Sequence, residues 1–112
     1  MYPSGSWRGY YEQAGWGRQL MHNLKLEFSS GLIEGEGRDI IGRFTFHGTY
    51  DNVGAVRLVK QYIGRHQVAY VGTYDGEGTI HGRWFIGEKW SGTFALSPVR
   101  DAIAPNSPIE PL

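Results

Sequence analysis

Eight residues of this sequence combine an apolar body with a polar tip and fall in one alternating phase of their segments: Trp7, Tyr11, Gln13, Lys60, Tyr62, Tyr70, Trp84 and Trp90. Polar tips of this kind need hydrogen-bond partners once buried, supplied by each other, by water or by a ligand. Aromatic faces with a few convergent donors are also what a pocket for a small molecule or an extended peptide is made of. The alternative is plain packing, with the hydroxyls reaching water at the rims of the fold. Lys60 is the sharpest of the eight, because it shares the phase of Val56, Leu58 and Tyr62. It stands either at an opening with its ammonium in water, ready for an anionic group, or inside with a depressed pKa. His22 shares the phase of Leu20, Leu24 and Leu26, so it reads as a hydrogen-bonded core histidine or, in an enzyme, as a general base.

Other chemistries are absent from the pattern. The four histidines are scattered and no cysteine is present, so no metal constellation is visible and no cofactor is implied. Glu34, Glu36 and Asp39 lie together, but the two glutamates fall on a wet face, and the group reads as solvation. Gly35-Glu36-Gly37 is not followed by a helix that would hold a phosphate, and no serine sits at a strand-to-helix elbow. Eleven basic and eleven acidic side chains cancel, leaving no basic face for nucleic acid. Met1-Tyr2-Pro3-Ser4-Gly5 carries no charged segment followed by an apolar run, and no stretch is long and apolar enough for a membrane helix, so a soluble cytoplasmic protein is expected.

The elements that must position these residues are strands. Period-two alternation runs almost continuously from Gly5 to Leu96, and no segment carries apolar residues at helical spacing. The expected strands cover residues 5–13, 18–29, 32–37, 40–50, 53–63, 66–74, 78–86 and 89–96, separated by turn signals such as Ser29-Ser30-Gly31 and Asp75-Gly76. Connections this short allow only antiparallel pairing of neighbours. Of the seventeen glycines, six recur between apolar or aromatic residues in the same phase, as in Trp7-x-Gly9-x-Tyr11, Ile40-x-Gly42-x-Phe44, Tyr70-x-Gly72-x-Tyr74 and Trp90-x-Gly92-x-Phe94. Glycine on the crowded side lets a sheet curl and gives rings bare backbone to lie on. The fold class is therefore all-β, a single antiparallel up-and-down barrel of about eight strands in residues 1–97. Its interior is just wide enough to be filled by side chains or to hold one small ligand.

The outward phase is polar along most of the chain, with apolar exceptions at Val59, Ile63, Ala69, Val71, Phe85 and Ala95. Exceptions gathered on the later strands point to a homo-oligomer built through Val59, Ala69, Val71 and Phe85. Residues 98–112 contain four prolines and read as an extended tail, either a free end or an arm over the barrel mouth or a neighbouring subunit.

Gly5-Ser6-Trp7, Gly48-Thr49-Tyr50-Asp51, Gly72-Thr73-Tyr74-Asp75, Gly82-Arg83-Trp84 and Trp90-Ser91-Gly92-Thr93-Phe94 resemble the glycine and aromatic strands of the avidin and streptavidin group. The resemblance implies an eight-stranded meander barrel, pairing of subunits through the later strands, and a ligand at the open end walled by tryptophans such as Trp84 and Trp90. It does not extend to biotin. Arg8-Gly9-Tyr10-Tyr11-Glu12-Gln13 stands where that family places the Asn and Ser that hold the ureido group, and its late aspartate has no counterpart. The expected function is a non-enzymatic binding module with its ligand at the barrel mouth. The alternatives are a cavity enzyme of isomerase or cyclase type using His22 or Lys60, and a filled barrel that serves as an assembly block.

Overall fold

The computed structural model describes residues 2–99; of the tail expected over residues 98–112, Pro98 is the last residue of β8 and residues 100–112 lie outside the described residues. Eight strands follow one another: β1 (Gly5–Gln13), β2 (Gly17–Ser29), β3 (Leu32–Arg38), β4 (Arg43–Tyr50), β5 (Ala55–Tyr62), β6 (Gln67–Tyr74), β7 (Ile80–Ile86) and β8 (Trp90–Pro98). Each pairs antiparallel with its neighbour, and β8 returns to β1 through Trp7↔Pro98 to Glu12↔Thr93, which closes the barrel. Val99 N–H extends this seam by donating to Ser6 O at 3.0 Å. The described residues contain no helix, and thus none long and apolar enough to cross a membrane.

Alternation delivers one face of every strand to the interior, where Trp7, Tyr11, Leu24, Leu26, Phe44, Phe46, Leu58, Tyr62, Tyr70, Trp84, Phe94 and Leu96 are among the buried side chains. Two departures from the expected pattern have local causes. In β2 the phase inverts: Met21 is buried, whereas Leu20 is 56% exposed and His22 is exposed. Trp7 pairs with Leu24 but Gly9 pairs with Met21, so two β2 residues, His22 and Asn23, oppose Arg8 alone. This bulge is held by Asn23 at φ 52°, a left-handed conformation that asparagine tolerates better than most residues. His22 therefore points away from the cavity, which corrects its reading as an interior histidine or base. The second departure is at residues 40–42, expected to open β4. They form instead the β3–β4 loop, closed by Asp39 N–H to Gly42 O at 3.0 Å, with Ile40 79% exposed.

Glycine is required where strands cross over rings. A Cβ on Gly92 would overlap the Glu12 carbonyl oxygen and the indole of Trp84, and one on Gly48 would overlap the Arg57 carbonyl oxygen. Trp84 thus lies across the bare backbone of Gly92 while its Nε1 donates to Glu12 O at 3.0 Å, tying β7 to β1 over β8. The Thr-Tyr-Asp repeat also has a structural origin. Asp51 Oδ1 accepts from Val53 N and Ala55 N, and Asp75 Oδ1 accepts from Glu77 N and Thr79 N, so the same side-chain turn shapes both hairpins.

Tyr2 and Pro3, just before β1, seal the end of the barrel that carries these turns. Tyr2 stacks on Phe28 at 4.9 Å and meets Tyr50 and Tyr74 edge-on, while Trp7 Nε1 donates to Pro3 O at 2.8 Å. Replacing Gly92 with alanine is expected to cost about 2 kcal/mol, because Trp84 and the β8–β1 seam must both move. Urea unfolding of Gly92→Ala against Thr73→Ala, which loses only an exposed side chain away from the seam, measures it; equal midpoints would show that the seam has slack.

Candidate functional site

The opposite end of the barrel gathers the β1–β2, β3–β4, β5–β6 and β7–β8 connections, because a meander puts alternate turns on the same side. There the inward phases of β1, β4, β5 and β6 present Tyr11, Phe44, Lys60, Tyr62 and Tyr70. Lys60 is fully buried, and its Nζ lies 4.3 Å from the Phe44 ring centre, 4.6 Å from Tyr11, 4.8 Å from Tyr62 and 5.6 Å from Tyr70. Four ring faces at such distances stabilise a cation electrostatically. They do not replace the hydration that burial removes, and that part falls to Asp39.

Asp39 enters from the β3–β4 loop with its side chain fully buried. Its Oδ2 accepts from Lys60 Nζ at 2.6 Å and from Tyr62 Oη at 2.7 Å, and its Oδ1 accepts from Ile41 N at 2.9 Å. Lys60 Nζ also donates to Tyr70 Oη at 3.3 Å. Lys60 is thus neither a rim residue nor free to meet solvent, and Asp39 is not part of a solvated acidic group with Glu34 and Glu36. Burial pulls the Lys60 ammonium down to about 8, against the opposing pull of the Asp39 carboxylate. Burial pushes the Tyr62 hydroxyl well above its ordinary value, helped by its bond to Asp39, and Tyr70 moves the same way through burial and the nearby Asp39 charge.

Tyr11, Gln13, Tyr62, Tyr70 and Trp84 come together around a cavity of about 40 Å3, to which Ile41 and His66 also contribute walls. This volume admits a water molecule or two and nothing larger. Outside it, across Ile41, a groove of about 390 Å3 runs between the β1–β2 hairpin and the β3–β4 loop, lined by Tyr11, Gln13, Trp16, Gln19, Ile40 and Ile41. Two of the eight sequence candidates lie elsewhere. Trp7 belongs to the sealed opposite end, packed on Phe28 at 5.3 Å. Trp90 keeps the inward phase but stands at the first position of β8 beside the turn, 56% exposed, where no opposing wall covers it.

Asp39, Trp16 and Ile41 were missed by sequence reasoning. A signal for Asp39 exists: an inward lysine requires a carboxylate, and in a meander the β3–β4 loop lies at the same end as the C-terminal half of β5. Trp16 and Ile41 carry no such signal, because turn residues follow no period. Among the described residues no group of three His, Asp or Glu side chains comes together as a metal site.

The pH dependence of the pair has a definite sign. Lys60 in the folded chain sits at about 8, below its ordinary 10.5, so between these values the unfolded chain binds more protons and stability rises with pH. The raised tyrosines oppose this above pH ~10, where the unfolded chain begins to lose phenolic protons that the folded chain keeps. Measured against the double variant Lys60→Met/Asp39→Asn, which keeps those tyrosines, wild-type stability is expected to rise between pH 8 and 10 by on the order of 1 kcal/mol per pH unit. Chemical denaturation at stepped pH reads this, and a flat difference would mean that Lys60 titrates as it does in water.

No protein-family model matches the chain, and no curated protein matches it.

Proposed function

We propose that this protein is a non-enzymatic binding module that takes a small, largely apolar molecule at the end of the barrel carrying the β1–β2 hairpin and the β3–β4 loop. The observation that carries this reading is the groove of about 390 Å3 between Trp16 and the Ile40-Ile41 pair, opening directly over the small interior cavity. Trp16 is 73% exposed, and together with Ile40 it leaves more apolar surface in water than a turn needs. Gln13 and Gln19 add amides that can orient a polar group of the ligand. An extended peptide fits less well, because a closed barrel leaves no strand edge to which a peptide could add. An enzymatic role is not favoured either: His22 faces outward, and Lys60 is sheathed in rings and ion-paired.

The neutral fluorescent probe N-phenyl-1-naphthylamine tests the groove. Emission is expected to rise on titration into the wild-type protein. Affinity should fall at least tenfold in Trp16→Ala, the loss of one aromatic wall being worth roughly 1.4 kcal/mol or more, and stay within about twofold in Trp90→Ala. Binding that ignores Trp16 would remove the groove as the site.

A second copy of the chain is the partner proposed for the outer face of β5–β7. Val59 pairs with Ala69 and Ala69 with Phe85, which lines these residues up as one apolar row, with Val71 next to it. Sedimentation equilibrium of wild type against Phe85→Glu should show a dimer or larger assembly that the charge disrupts; a monomer mass for wild type at millimolar concentration overturns it.

A further inference from the structure

The buried carboxylate at the mouth does not belong to the barrel wall. Lys60 and Tyr62 stand on β5, Tyr70 on β6 and Tyr11 on β1, all inward and all fixed by register. Asp39 comes from a four-residue loop whose other side chains, Ile40 and Ile41, remain 79% and 37% exposed. Its side chain is therefore the one fully buried side chain of that loop. The wall is also not fully satisfied by it. Tyr70 Oη, on a side chain 2% exposed, accepts from Lys60 Nζ, yet its own proton meets no acceptor among the described residues. That phenol lines the cavity of about 40 Å3 that continues past Ile41 towards the outer groove. A rigid set of donors, one of them spare, next to unfilled space and closed by an acceptor on a loop, is the arrangement of an anion site with a removable occupant.

We propose that Lys60, Tyr62 and Tyr70 form a site for the carboxylate of a small apolar acid, and that Asp39 is a tethered stand-in which such a ligand displaces as the β3–β4 loop swings outward. This rests on the barrel-mouth reading given above and names the ligand class for it. The chemistry is that of the contact already present. A free carboxylate placing one oxygen between Lys60 Nζ and Tyr62 Oη takes over both Asp39 bonds, and its second oxygen lies within reach of the spare Tyr70 proton. The apolar body of the acid continues into the space that Ile41 leaves and the groove beside Trp16. Asp39 competes at the high effective concentration of a tethered group, which lowers the affinity of the wild-type protein for any free acid. The loop thus excludes water and weak anions from the lysine and yields to an acid that also fills the groove.

Chemical rescue tests the site. Asp39→Ala and Asp39→Asn would be unfolded thermally in sodium benzoate and in sodium chloride of equal ionic strength. Benzoate is expected to raise the Tm of Asp39→Ala by roughly 5 °C over chloride and to bind it at least tenfold more tightly than wild type, with Asp39→Asn in between. Adding Lys60→Met to Asp39→Ala should abolish the response. If Asp39→Ala does not fold in chloride, recovery of folded protein on refolding in benzoate is the same positive result. Benzoate indistinguishable from chloride on both variants, or unable to restore a folded state, overturns the proposal. The neutral naphthylamine probe separates the two readings: probe binding at Trp16 without a benzoate response removes only the carboxylate site, whereas a benzoate response without probe binding removes the groove.

Discussion

An eight-stranded barrel has to fill its own interior with the side chains that alternation sends inward, and nearly every local feature of this protein answers that requirement. Rings of Trp7, Tyr11, Phe44, Phe46, Tyr62, Tyr70, Trp84 and Phe94 supply the volume. They are accommodated only because glycine lies opposite some of them: the indole of Trp84 occupies the space in which a Cβ of residue 92 would sit, and the Phe94 ring closes on Gly72. The same requirement explains the bulge at Asn23. Without it, a single alternation that keeps Leu24 and Leu26 inward, in the phase that pairing with Trp7 and Gly35 imposes, would carry Leu20 inward and Met21 outward. One residue in a left-handed conformation lets a thirteen-residue strand serve two neighbours in register.

The two ends of the barrel meet this requirement by different physics. At one end Tyr2 closes the opening with aromatic packing, a contact that any change of pH in the neutral range leaves untouched. At the other, closure is electrostatic. A buried lysine surrounded by rings is expensive unless its charge is compensated, and here the compensation comes from a carboxylate carried on the β3–β4 loop. Replacing both partners with apolar residues of similar shape would serve stability as well or better. An ion pair in this position therefore makes the loop's seating conditional on a charged contact, where an apolar plug would make it permanent.

This difference gives the protein a polarity along its axis. The sealed end is shaped by two identical aspartate turns and the N-terminal segment, whereas the other end exposes Trp16, Ile40, Ile63 and Trp90 around its rim. An exposed apolar rim above a polar, buried donor set is the feature on which the proposed amphiphilic ligand rests. The row from Val59 to Phe85 lies on the side wall, away from this rim, so self-association there would leave the mouth open.

Alternation in the sequence determined the class, the number of strands and the meander, because a period of two fixes which residues share a face without knowledge of the partners. It also determined that Tyr11, Tyr62, Tyr70, Trp84 and Lys60 face inward, and that Val59, Ala69, Val71 and Phe85 face out. Three things were decided only by tertiary structure. The bulge at Asn23 reversed the phase of Leu20 and His22, since a single positive φ leaves no trace in the hydrophobic pattern. The ends of strands were set by where the barrel wall stops, which left Trp90 in water and made a loop of residues 39–42. The third is the partner of Lys60: phase shows that the lysine turns inward, but which carboxylate reaches it depends on the spatial closure of a loop 21 positions away in the chain, and only the folded barrel brings that loop over it.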